Sequence, residues 1–181
     1  MKLYIYILFV IVIVMSFFSC NDTMNKKQSD INVIDKKNIE DSMVEMNINL
    51  LAQESKMMDD YVNSHNLNMV KTGTGLRYQI LESGDGDLID KGDIVSIEYE
   101  IRLLDDDVVY SSDKDGFKTF VVGKGGVESG LEEAILKLRK NSVAILIIPS
   151  YLAHGIAGDG NKIPQRASLV YKLKIIDNYS N

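Results

Sequence analysis

The hydrophobic positions of the chain change period twice along its length. Behind Lys2, residues 3–15 form an unbroken apolar or aromatic run, which Phe17 and Phe18 extend before the small residue Ser19. The run falls short of the roughly 20 residues that a membrane-spanning helix needs. A short positive end, an apolar core and a small residue have the layout of a secretory signal peptide. Residues 21–38 are rich in Asn, Asp, Lys and Ser and predict a flexible spacer. Then Ile39, Met43, Met46, Leu50, Met57, Met58, Tyr61 and Val62 recur at three-and-four spacing, with Glu54 as the one polar interruption. That period predicts an amphipathic helix over residues 39–64, ending near residues 63–66. Such a stripe packs on its own domain or, being rich in Met, offers a homodimer or partner face; both readings are open here.

From residue 75 the period drops to two. Leu76, Tyr78 and Ile80 alternate with Arg77, Gln79 and Leu81, and residues 82–87 follow as a turn. Val95, Ile97, Tyr99, Ile101 and Leu103 predict a longer strand. Asp105, Asp106 and Asp107 read as a solvated hairpin tip, residues 108–111 as its return and residues 117–122 as a further strand. Ser129 with Glu132 three residues later fits a capping box. Leu131, Ala134, Ile135 and Leu138 share one helical face, and Asn141 suits the stop after Arg139 and Lys140. Residues 142–148 are strongly β-prone, and Ala167, Leu169, Tyr171, Leu173 and Ile175 alternate in a closing strand. Several strands with one short helix, and no βαβ alternation, argue an α+β antiparallel sheet covering that helix. All 13 glycines and both prolines lie at Gly73 or later, which puts a boundary near residue 70. The expected organisation is a signal over residues 1–20, a tether over 21–38, a helical segment over 39–68 and a β-rich domain over 69–178.

Composition narrows the function. A net charge of −6 argues against nucleic acid as a partner, because phosphate binding needs clustered Lys and Arg. The single cysteine, Cys20, excludes an intrachain disulfide. The Ser19–Cys20 junction behind the apolar run resembles a bacterial lipobox, although Phe17 and Phe18 stand where small residues or Leu are usual. In that class of signal the cysteine is lipidated and becomes the new N-terminus, so residues 21–181 would sit in the cell envelope, anchored to a membrane and facing the periplasm. An uncleaved N-terminal anchor is the alternative and leads to the same side.

Candidate chemistry is sparse. His65 and His154 are far apart, no second Cys exists for a soft metal site, and the run "DGDLIDKGD" carries Ile89 where a calcium loop needs a ligand. The glycine-rich "GKGGVESG" lacks the spacing of a phosphate loop. Ser129 is not in a nucleophile elbow, because Val127 and Leu131 hold the glycine positions. No metal, cofactor or nucleophile is expected. What remains is a set of aromatics, Tyr99, Tyr110, Phe117, Phe120, Tyr151 and Tyr171, which are either core residues or the walls of an apolar pocket.

Residues 75–177 resemble an FKBP-type peptidyl-prolyl isomerase domain. The matching segments are "GLRYQILESGDGD", "KGDIVSIEYEIRL", "VVYSSDKDG", "FVVGKGGVESGLEEAILKLRKN" and "AILIIPSYLAHGIAGDGNKIPQRASLVYKLKIID", in that order. The resemblance implies a half-open antiparallel sheet wrapped round one short helix, with a proline pocket between them. It places Tyr99, Tyr110, Phe120, Leu131, Ile163 and Tyr171 as the catalytic walls, and Ser111, Val127, Glu128 and His154 as substrate contacts. Glu128 is expected to act through its backbone N–H, so that its acidic side chain need not matter. Four positions depart from the family: His154 replaces a ligand-binding tyrosine, Ser111 an aspartate, Leu131 a tryptophan and Lys118 an aromatic rim residue. They bear on catalytic efficiency and on macrolide binding. The implied partners are proline-containing polypeptides. A non-catalytic chaperone or assembly factor on the same fold is the alternative. The architecture of signal, helix and isomerase domain is also similar to that of gliding-motility-associated isomerase lipoproteins.

Overall fold

A computed structural model describes residues 22–176, with side chains from residue 36; the expected signal peptide and Cys20 lie outside the described residues. Its contacts separate two compact units, Met1–Leu50 and Leu51–Asn181.

Helix α1 runs over Asp22–Ser64. It corrects the expected spacer, which is helical from Asp22 onward. The reason is the absence of breakers: no Gly or Pro occurs between residues 22 and 64, and Asn, Asp and Ser each cost a helix well under about 1 kcal/mol. Within the first unit, Ser42 Oγ donates to the Asn38 carbonyl at 2.8 Å. The side chains of Ile39, Met43, Val44, Met46 and Ile48 are all exposed.

The second unit holds strands β1 (Val70–Lys71), β2 (Arg77–Glu82), β3 (Ile94–Arg102) and β4 (Val108–Ser111), the one-turn helix α2 (Ser112–Asp115) and β5 (Lys118–Val121). Helix α3 (Ser129–Ile135), β6 (Val143–Ile148), a 3-10 turn (Ser150–Leu152) and β7 (Leu169–Ile176) complete it. Among the described residues the sheet has seven strands in the order β1-β2-β6-β7-β3-β4, with β5 paired to the other end of β3. Every pairing is antiparallel. The alternation read from the sequence decides which face of β3 is buried: Val95, Ile97, Tyr99 and Ile101 pack inward, while Glu98 is exposed. They meet Leu131, Ala134 and Ile135 of α3 and Leu138 beyond it, all fully buried. Full burial of a Leu or Ile is worth about 1.5–3 kcal/mol, so this sandwich of one short helix and one sheet is the stabilising core.

The capping box does not form. The N-cap of α3 is Glu128, without a side-chain cap bond. Ser129 Oγ turns away to the Leu152 carbonyl at 3.2 Å, and Glu132 Oε1 accepts the Gly125 N–H at 2.9 Å. The helix also stops earlier than expected, at Ile135. Asn141, at φ 66, belongs to the turn that enters β6. The glycine at 130 is a packing requirement: a Cβ there would run into Ile148 Cγ2 and stand 3.1 Å from Leu152 Cβ.

The end of α1 closes the opposite face of the sheet. Met58 and Tyr61 are buried against Ile147 and Val170. Arg77, 2% exposed, donates to Asp59 Oδ1 through Nε and Nη2 at 2.8 and 2.6 Å, and to the Ser55 carbonyl at 3.0 Å. The last turns of the stripe therefore pack on their own domain. The hairpin tip is more than a solvated turn, because Asp106 accepts Tyr61 Oη at 2.9 Å and pairs with His65 Nε2 at 3.1 Å. Burial, and then Asp106, push the Tyr61 hydroxyl up to about 12.

Candidate active site

A cavity of about 340 Å³ opens between sheet, helix and loops, lined by Tyr99, Ile101, Tyr110, Asp115, Lys118, Glu128, His154, Asp159 and Ile163. Register puts the first of these together. Ile101 is paired with Tyr110 across β3 and β4, and Ile97 with Lys118 across β3 and β5. Tyr99 lies between those two points on the inward face of β3. Glu128 enters from the N-cap of α3, and His154, Asp159 and Ile163 come from the loop over residues 149–168.

Two polar clusters sit on the walls. In the first, Tyr110 Oη donates to Asp159 Oδ2 at 2.5 Å and accepts from Asn161 Nδ2 at 3.2 Å. Lys162 Nζ stands 4.7 Å from the centre of the Tyr110 ring. Asp159 Oδ1 accepts the backbone N–H groups of Asn161 and Ile163, each at 2.8 Å, which folds the loop back on itself. Burial pushes the Asp159 carboxyl up, but the Tyr110 hydroxyl and the two N–H groups outweigh it and bring it to about 2. The Tyr110 hydroxyl is raised in turn, chiefly by its bond to Asp159.

The second cluster surrounds Glu128, whose side chain is 8% exposed. Its Oε1 accepts Tyr171 Oη at 2.9 Å and lies 3.2 Å from His154 Nε2 and 3.7 Å from Lys118 Nζ. Its Oε2 is buried without a hydrogen-bond partner. Burial works to raise this carboxyl. Lys118, the backbone N–H of Glu128 itself, Tyr171 and His154 together hold it below its ordinary range. Burial, then the Glu128 charge, drive the Tyr171 hydroxyl well above its ordinary value. Glu128 is expected to act through its backbone N–H; its side chain also joins helix, sheet and loop at the pocket wall.

The expected site residues divide into two layers. Tyr99, Tyr110, Ile163, Glu128 and His154 line the cavity. Phe120, Leu131 and Tyr171 are core residues behind that lining, and the Tyr171 hydroxyl reaches the site through its bond to Glu128. Val127 is half-buried against the core. Ser111 is buried beside the cavity, its N–H donating to Asp115 Oδ2 at 3.0 Å. Asp115 and Asp159 were not foreseen. Asp159 carries a local signal, a short acid in a glycine-rich turn whose carboxylate caps N–H groups two and four residues on. Ile101 was legible, lying two residues from Tyr99 on the same face of a strand.

Residues 86–176 match the model of the FKBP-type peptidyl-prolyl cis-trans isomerase family. The chain belongs to that family. It is 39% identical over 106 residues to a probable FKBP-type peptidyl-prolyl cis-trans isomerase FkpA of Neisseria meningitidis serogroup B, covering 58% of this chain and 38% of the relative. It is 30% identical over 159 residues to the outer membrane protein MIP of Legionella longbeachae, covering 86% of this chain and 64% of MIP. The FKBP-type chain thus spans less than two thirds of the length of these curated relatives. Among solved structures, AtFKBP13 superposes with a TM-score of 0.59 at 26% identity, over 61% of this chain and 98% of its own. FkpA from Escherichia coli shares the fold with a TM-score of 0.61 at 23% identity, over 93% of this chain and 79% of its own. The half-open antiparallel sheet around one short helix is the fold of this FKBP-type chain.

Proposed function

We propose that this chain is a peptidyl-prolyl cis-trans isomerase that assists the folding of exported proteins. The observation that carries the reading is the cavity walled by Tyr99, Ile101, Tyr110 and Ile163 in a chain of the FKBP-type family. An Xaa–Pro bond prefers trans only modestly, yet its rotation barrier is about 18–20 kcal/mol, because rotation breaks amide resonance. No covalent step is needed to lower it. The twisted amide is less dipolar than the planar one, so an apolar, water-poor wall favours it. Each tenfold in rate takes about 1.4 kcal/mol of preferential transition-state binding.

In this reading the ring face of Tyr99 and the side chains of Ile101 and Ile163 take the pyrrolidine ring. Leu131, Phe120 and Tyr171 back that wall from the core. The backbone N–H of Glu128 holds a substrate carbonyl, in competition with the Glu128 carboxylate. His154 offers a further donor at the rim. A protease-coupled assay on Xaa-Pro peptides tests the proposal, with a Tyr110→Ala plus Tyr171→Ala variant as control. Equal rates in the two proteins would sink it.

One observation favours a second reading, a non-catalytic chaperone that binds chains in the same groove. Lys118 and Glu128 bring charge to a wall where a planar and a twisted amide should be told apart by dryness. Refolding assistance that persists on proline-free clients, with no isomerase activity, would select that reading.

Placement belongs to the same proposal. The lipobox-like junction at Cys20 supports lipidation and attachment to an envelope membrane, and one relative carries the name outer membrane protein MIP. A mature N-terminus at Cys20 with added acyl mass is the expected mass spectrum; an intact Met1 would reject it. The exposed Ile39, Met43 and Met46 support a homodimer through residues 39–64, which sedimentation of the full chain decides. The likeness to gliding-motility lipoproteins rests on the same architecture of signal, helix and isomerase domain.

A further inference from the structure

Glu54 is the one polar residue in the apolar stripe of α1, and its position in the fold explains it. Its Oε1 accepts the backbone N–H of Ser150 at 2.6 Å and the hydroxyl of Ser168 at 2.7 Å. β6 ends at Ile148 and β7 begins at Leu169. These two serines, both buried, therefore stand at the two ends of the loop that carries His154, Asp159 and Ile163 into the cavity. A single carboxylate oxygen thus ties the exit of one strand to the entrance of the next.

The tie continues toward the pocket. The Ser150 carbonyl accepts the N–H groups of Ala153 and Gly155 at 3.0 and 2.8 Å, on either side of His154. The Gly155 carbonyl accepts the Arg166 N–H at 2.9 Å, which draws the loop's far limb to the same point. His154 then reaches Glu128 on the pocket wall. Charge-assisted bonds are about twice as strong as neutral ones, and bonds in a chain polarise one another. On the helix side, Glu54 is held in register by the residue that follows it. Arg77 takes the Ser55 carbonyl, the Ser55 hydroxyl and Asp59, at 3.0, 2.9 and 2.6 Å.

We propose that Glu54 is a positioning residue for the pocket: helix α1 sets the geometry of the 149–168 loop through Glu54, although neither the helix nor Glu54 lines the cavity. The consequence for catalysis rests on the isomerase reading above, whereas the consequence for the loop does not.

The test uses the full chain with Glu54→Ala, Glu54→Gln and Ser168→Ala, read by amide hydrogen exchange and by isomerase kinetics. Glu54→Ala is expected to speed exchange at Ser150, Ala153 and Gly155 by about tenfold, the size that a lost hydrogen bond gives. Amides of β3 and β7 should keep their protection. Glu54→Gln retains an acceptor oxygen and should restore most of it. Ser168→Ala, which removes one arm only, should give an intermediate effect and serves if Glu54→Ala does not fold. In the assay, Glu54→Ala should raise KM several-fold more than it lowers kcat. Unchanged loop exchange, or a rise spread evenly through β3 and β7, would overturn the proposal. A wild-type chain without isomerase activity would remove the functional reading and leave the exchange experiment decisive.

Discussion

The hydroxyl of Tyr171, on the central strand β7, donates to Oε1 of Glu128, the N-cap of α3, at 2.9 Å. This bond crosses from sheet to helix at the back of the cavity and fixes the acid that also meets His154 and Lys118. Tyr171→Phe keeps the ring and removes the donor. It is expected to cost about 1–2 kcal/mol, since a buried charge loses a partner. In a chain of this size that lowers Tm by roughly 2–8 °C, which calorimetry measures. An unchanged Tm would mean that water replaces the hydroxyl.

The same carboxylate gives the fold an acid limit. Its value in the folded chain lies below the ordinary one of 4.5, so its contribution is complete above that value and is lost as pH falls through the folded value. Asp159, at about 2 against 3.8, acts alike between those limits. Urea unfolding from pH 6 to pH 2 should show stability falling below about pH 4.5, as protons bind the unfolded chain more readily. Tyr110→Phe should be less stable than wild type at pH 6, with the gap closing below pH 3.8, where Asp159 begins to protonate in the unfolded chain. Parallel curves for the two proteins would remove Tyr110 as the group that holds Asp159 low.

Gly130→Ala sets two effects against each other. Ala in a helix is favoured over Gly by about 1 kcal/mol, but overpacking a filled core costs about 1–3 kcal/mol. The new methyl would meet Ile148, which is fully buried and has no free direction to move. The clash is expected to win, with a net loss of about 1–2 kcal/mol in denaturant unfolding. A stabilised variant would show that α3 can shift outward.

Arg77→Lys tests the clamp between sheet and helix. Lysine keeps the charge but not the fork that reaches Asp59, Ser55 and Gly75 together. The expected loss is about 1–3 kcal/mol. Asp59 is half-exposed and can be rehydrated, which keeps the cost below that of breaking a fully buried pair. Loss of protection at Met58 and Tyr61 in hydrogen exchange would locate the effect at the helix end.

Much of this architecture is periodic and local, and so was legible in the chain. Alternation over β3 and β7, the return strand at residues 108–111 and the apolar face of α3 all follow from which side chains must leave water. Tyr99, Tyr110 and Ile163 could be assigned to the site because the family resemblance supplied their roles and the pleat keeps Tyr99 inward. Other features depended on competition for partners. The Ser129 hydroxyl had a helix N-terminus beside it, yet the Leu152 carbonyl, 23 residues away, takes it. Asp22 and its neighbours had spacer composition, yet nothing in them breaks a helix.

By itself the sequence determined the alternation that buries one face of each strand and the apolar face of α3, because these depend on neighbours two to four residues apart, and its ordered segments carried the resemblance to the family. Tertiary structure alone decided that the Glu128 carboxylate is buried at the pocket wall with one oxygen unpartnered. It alone set Asp159 under Tyr110, and Glu54 on two serines at residues 150 and 168. Such bonds join polar atoms distant in sequence, and their strength comes from exclusion of water, which exists only once the sheet, α3 and the loop have closed on one another.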